Sequence, residues 1–210
     1  MKRAILVSTI VLIFVFLAVD CSRKAEKAGD QPAATTAVET IPEAYRPWHD
    51  SFLEALRNDD YPAALKNIDL IKDKVWKESP LLLLNPTLVK AQNNSYGVYE
   101  PEEDNIYSDG QTIYLYIEPA GYRIIRSEAG YYEFRFLADF QVADENGQIL
   151  GGQERFADLP FKSWHPNKEV AITFNYNFSG LAVGKYRIIT TVYDANSDKK
   201  ASTETWVSFE

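Results

Sequence analysis

The chain has 210 residues, the length of one ordinary domain with an appendage. One Cys and two His exclude a disulfide framework, a Cys-rich zinc site and a His-cluster metal site. A net charge of −8 argues against a partner recognised through its phosphate backbone, so no nucleic acid is expected. Thirteen Tyr and eleven Phe against one Met lean toward β-structure, because aromatic side chains fit half-buried pleated surfaces.

Lys2 and Arg3 open the chain, and residues 4–19 follow without a charge. This run is short of the roughly 20 apolar residues of a spanning helix. It suits the apolar region of a secretory signal. The sole cysteine closes it in Leu17-Ala18-Val19-Asp20-Cys21. That arrangement resembles the signal of bacterial lipoproteins. The resemblance implies cleavage between Asp20 and Cys21, lipid on Cys21, and a body outside the cytoplasm at the cell envelope. Asp20 departs from the small residue the family places before its Cys. An uncleaved signal anchor and a plainly secreted chain are the alternatives. Ser22 rather than Asp follows Cys21, which in that family points to the outer membrane. More than one acyl chain anchors stably, since each buried CH₂ contributes about 0.8 kcal/mol. An acidic body is repelled by anionic lipid, so the membrane contact is expected from the anchor and not from the domain.

Ser22 to Thr40 has no apolar period and reads as a disordered tether. Its length spans about 24 Å on average. Residues 42–80 predict a helical hairpin. Tyr45, Trp48, Phe52 and Leu56 recur at three- and four-residue spacing, and Ala64, Leu65, Ile68, Ile71 and Val75 form a second stripe. Asn58-Asp59-Asp60 breaks the two helices and Pro62 fits the first turn of the second. Part of this segment, NDDYPAALKNIDLI, resembles one tetratricopeptide unit, but no second copy follows. Leu81 to Leu84 is a short apolar run that periodicity assigns neither to a buried strand nor to a helix end.

Residues 81–210 are predicted to be mainly β. Ile113, Leu115 and Ile117 alternate with Tyr114, Tyr116 and Glu118. The same period of two runs from Tyr132 to Val142, from Val170 to Phe178, from Tyr186 to Val192 and from Thr205 to Phe209. Asp109-Gly110, Asn146-Gly147, Ser179-Gly180 and Asn196-Ser197-Asp198 supply turns. About seven strands predict a two-sheet sandwich. The closing stretch, GLAVGKYRIITTVYDANSDKKASTETWVSF, resembles the last hairpin of bacterial immunoglobulin-like domains, which implies architecture and no activity.

Few residues suggest chemistry. Glu100, Glu102, Glu103, Asp104 and Asp109 cluster without a defined ligand spacing. Asp194, Asn196 and Asp198 imitate the opening of a calcium loop, yet Lys199 and Thr205 stand where Gly and Glu are needed, so a hairpin turn explains them better. His49 and His165 have no motif-bearing nucleophile beside them, and no GxSxG, HExxH or phosphate-loop pattern occurs. No catalytic residue, metal or cofactor is expected.

Strict alternation turns Leu137, Ile189, Tyr193 and Trp206 away from the sandwich core, on strands expected to share one sheet. Tyr114 and Tyr116 turn outward from the other sheet. Either the helical hairpin covers the first set, or the set is a partner-binding face, for which Tyr and Trp are well suited. Trp164, in a loop, is a further candidate. The expectation is a non-catalytic envelope lipoprotein whose sandwich binds or scaffolds a protein. The alternative is a glycan- or peptidoglycan-binding lipoprotein.

Overall fold

The computed structural model describes residues 40–210, so the signal, Asp20, Cys21 and nearly all of the tether lie outside the described residues. Ile41–Glu210 form one compact unit. A 3₁₀ turn at Glu43–Tyr45 leads into α1 (Arg46–Arg57) and α2 (Tyr61–Glu78). Asp60 caps α2, its Oδ1 accepting from the Ala63 N–H at 3.0 Å. Ser79 is extended and ends the helix, as the residue before Pro80 must be.

The hairpin does not use its predicted stripe to dock. Ala64 is buried, but Leu65, Ile68 and Val75 are exposed. Trp76, on another edge of α2, makes the contact with the sandwich instead.

Nine strands follow: β1 (Leu82–Val89), β2 (Ile106–Tyr107), β3 (Thr112–Ala120), β4 (Ile125–Arg126), β5 (Tyr132–Asp144), β6 (Ile149–Ser163), β7 (Ile172–Asn177), β8 (Gly184–Asp194) and β9 (Lys200–Phe209). They form a small sheet, β1-β3-β7, and a large one, β2-β9-β8-β5, with β6 on β5 and β4 beside its start. The chain is thus mainly β, a two-sheet sandwich preceded by a helical hairpin. Its partition of strands is that of immunoglobulin-like sandwiches, with β8 between β9 and β5 in one sheet and β3 between β1 and β7 in the other. Every pairing is antiparallel except the short β2 beside β9.

There are more strands than the seven expected because β2 and β4 are only two residues long. β6 is hidden in the sequence for another reason. Arg155 bulges out at φ 49° and donates its N–H to Asp139 Oδ1 at 2.6 Å. The bulge breaks the alternation along the strand.

The two sheets are joined by aromatic rings. Tyr122 meets Phe134 and Phe136 at 4.9 Å between centroids, and Phe134 stacks on Phe161 at 5.0 Å. Toward the other end Phe156 packs on Phe140 and Phe174. Tyr116 lies on the outer side of its sheet, as alternation places it, yet it is fully buried. The segment after β1 folds over it, with Tyr99 4.2 Å away and the Gly97 N–H donating to its hydroxyl. That hydroxyl donates to Glu118 Oε1 at 2.6 Å, and Asn85 donates to Glu118 Oε2. Around Tyr116 and Glu118 the outer face of the small sheet is therefore covered by the chain itself.

Two outcomes follow. Gly121 has φ 78°, and a Cβ there would sit well inside contact distance of the Pro80 carbonyl oxygen. Gly121→Ala should cost roughly 2–4 kcal/mol in denaturant melts. Gly130→Ala, also left-handed but in open space, should cost only about 1 kcal/mol. Burial pushes the hydroxyls of Tyr107 and Tyr116 up to about 12, and it raises Tyr122 and Tyr176 as well. An unfolded Tyr ionises near about 10, so these neutral rings contribute stability that is complete below about pH 10 and is lost as the pH rises through about 12. Melts at about pH 9 and about pH 11.5 should show that fall; equal midpoints would refute it.

Candidate functional site

A cleft of about 590 Å³ lies at the end of the sandwich where β3 leaves the small sheet. Four separate stretches build it. α2 contributes Asp73, Trp76 and Lys77; the segment after β3 contributes Tyr122, Arg123, Ile124 and Arg126. Pro166 and Lys168 come from the loop after β6, and Ser197 and Lys199 from the β8–β9 turn, with Tyr132 at the edge.

Each wall is held by identifiable bonds. The Trp76 indole N–H donates to the Tyr122 carbonyl at 2.8 Å, and its ring meets the Tyr122 ring edge-on at 5.0 Å. The Tyr122 hydroxyl crosses the end of the core and donates to the Asn167 carbonyl at 2.7 Å. Asp194 is buried and saturated. One oxygen accepts from the Arg123 N–H at 2.8 Å and from the Ser197 hydroxyl at 2.5 Å; the other accepts from the Asn196 N–H. The Lys199 ammonium donates to the Gly121 carbonyl at 2.6 Å and to the Lys77 carbonyl at 3.2 Å. The latter lies in the last turn of α2, where the helix dipole favours a cation.

The lining carries five cations, Lys77, Arg123, Arg126, Lys168 and Lys199, against one carboxylate, Asp73. Asp73 pairs with Lys168, whose ammonium also sits 5.8 Å from the centre of the Trp76 ring. Among the described residues, Lys77, Arg123 and Arg126 make no ion pair, although the chain as a whole carries a net −8. The Arg126 guanidinium lies 5.9 Å from the Tyr132 ring. An aromatic and aliphatic floor under a cationic rim can hold a compact anion and orient its body. A second groove of about 780 Å³ shares Asp73, Pro166 and Lys168 with the first and continues to Trp164.

The residues singled out in the sequence fare differently. Leu137, Ile189, Tyr193 and Trp206 do share the outer face of the large sheet, on β5, β8 and β9. The helical hairpin does not cover them; it docks at the cleft end. Nor is the face apolar. Arg187 lies over Trp206 and pairs with Glu204, Tyr193 donates to Asp139 at 2.8 Å, and Arg135 grips Asp158 with two bonds. Trp164 stands apart from this face, 77% exposed, in the groove beside the cleft. His49 bonds its neighbour Asp50, and the carbonyl of His165 accepts from Ser163. Among the described residues no three His, Cys, Asp or Glu side chains come together as a metal site. No helix among them is long and apolar enough to cross a membrane.

Sequence reasoning missed the cleft. Its cations lie in four segments, and only the spacing of Arg123 and Arg126 in YRIIR hinted at one basic edge.

No protein-family model and no curated protein matches the chain. Among solved structures it is similar to the sporulation control protein Spo0M from Bacillus subtilis, at 12% identity and a TM-score of 0.33. The match covers 63% of this chain and 50% of that one, so the chain spans half the length of that neighbour. A likeness that slight defines neither fold nor function.

Asp194→Ala removes a buried acceptor shared by three part-buried donors. It should cost roughly 2–4 kcal/mol, whereas Ser197→Ala, which deletes one donor, should cost about 1 kcal/mol. Denaturant melts check the ratio; equal losses would mean that Asp194 does not organise this end.

Proposed function

We propose that the protein is a non-catalytic lipoprotein of the cell envelope, held by lipid on Cys21, whose sandwich acts as an interaction module. The observation that carries the interaction reading is the cleft, a cationic and aromatic concavity on an acidic body. Its one carboxylate is committed to Lys168, so its lining is suited to holding a ligand and not to moving a proton. The anchor reading rests on an uncharged run, residues 4–19, that ends two positions before the only cysteine. The tether then lets the sandwich work about one domain diameter from the membrane.

A second reading, a glycan-binding lipoprotein, is favoured by Trp164, whose large exposed ring lies in a groove continuous with the cleft. Rings of this kind suit the apolar faces of sugars.

Cys21→Ser should abolish labelling with a fatty-acid probe and release the protein from membranes. A mutant that stays membrane-bound would replace the lipid anchor with an uncleaved signal. Partners captured from the envelope by the anchored protein should be lost on Arg123→Glu with Arg126→Glu. Unchanged capture would remove the cleft from the interaction.

A further inference from the structure

We infer that the cleft and the groove beside it form one binding site for an acidic oligosaccharide, with carboxylate-bearing rings over the cationic cleft and a ring stacked on Trp164. This deepens the glycan-binding reading and rests on it. Three observations lead there.

Charge is the first. Lys77, Arg123 and Arg126 are exposed, line one cleft and make no ion pair among the described residues. Like charges gathered without counter-charges repel one another, and an anionic ligand relieves that repulsion. Arginine's planar fork suits a carboxylate held side-on.

Size is the second. A protein partner needs a footprint of roughly 800 Å². A footprint of that size would run beyond the rim onto a body that is net acidic, where an acidic protein is repelled. The carboxylates of a slim anion lie over the cationic cleft of about 590 Å³, whereas the groove beyond it carries Asp69, Asp73 and Glu169 against Lys72 and Lys168, so the ring on Trp164 turns its carboxylate to solvent.

Shape is the third. The cleft and the 780 Å³ groove share the Lys168–Asp73 pair, so a ligand several rings long can cross that pair from Arg126 and Arg123 to Trp164. Trp164 is 77% exposed although it is the largest side chain in its loop. An indole left in water beside a groove is a stacking surface for a sugar ring. Trp76 supports the cleft floor from beneath, fixed by its bond to the Tyr122 carbonyl.

The test uses the mature chain and tetragalacturonic acid, with its methyl-esterified form as the neutral control and tetraglutamate as an acidic peptide. Binding is read by calorimetry and by tryptophan fluorescence. Tetragalacturonate should bind and the ester should not. Affinity should fall between about 0.1 M and about 1 M ionic strength, where the screening length shortens from roughly 10 to roughly 3 Å. Arg123→Gln with Arg126→Gln should weaken binding roughly tenfold or more, and both side chains are exposed, so the fold should be unchanged by circular dichroism. Trp164→Ala should weaken it while leaving the salt dependence intact. Equal binding of the ester would overturn the proposal, as would an unaltered double variant. Tighter binding of tetraglutamate would assign the site to a peptide, and the interaction-module reading would survive without this one. No binding of any probe would also overturn the inference, and capture of envelope partners would still decide the broader reading.

Discussion

At Gly121 the backbone passes so close to the Pro80 carbonyl that no side chain can stand between them. Much of the cleft end depends on that approach. It brings the exit of α2 against the turn after β3, and it lets Tyr122 drop into the core while Trp76 reaches its carbonyl from outside. The Lys199 ammonium then binds the Gly121 carbonyl and the end of α2 together. Asp194 holds the next residue, Arg123, by its main chain, which leaves the Arg123 side chain free at the rim. A small helical hairpin with an exposed apolar stripe is thus fastened to the sandwich by one indole, two lysines and one close contact.

The same fastening creates the electrostatic contrast. The body is acidic, yet the parts that meet at this end each bring cations: Lys77 from the helix, Arg123 and Arg126 from the turn, Lys168 and Lys199 from two loops. Two of the five are spent on architecture, Lys168 on Asp73 and Lys199 on carbonyls. The rest face the cleft without counter-charges among the described residues. On the outer face of the large sheet the opposite holds. Arg187 and Arg135 are matched to Glu204 and Asp158, so the arginines there are already paired and offer an anion less.

Most of the strands were legible because period-two alternation is written locally. β3, β5, β7, β8 and β9 follow it, and Asp60 with Pro62 marks the start of α2 as N-cap chemistry requires. β6 was not legible, because the Arg155 bulge interrupts its alternation. Tyr116 was misread for a different reason. Alternation correctly places it on the outer side of its sheet, but the segment carrying Gly97 and Tyr99 covers that side. Leu137, Ile189, Tyr193 and Trp206 were correctly given one face, and the polar partners that surround them come from neighbouring strands that local pattern does not reveal.

By itself the sequence determined a mainly β body behind a helical hairpin, a net acidic chain, and a single cysteine just beyond an uncharged run. Those features depend on residue types a few positions apart, where backbone geometry leaves little choice. The tertiary structure alone decided which side chains become a site. Trp76, Arg123, Arg126, Lys168 and Lys199 are separated by up to 123 positions between Trp76 and Lys199 and form no motif. They meet because α2 is held against one end of the sandwich, and proximity between distant segments is set by packing and not by spacing along the chain.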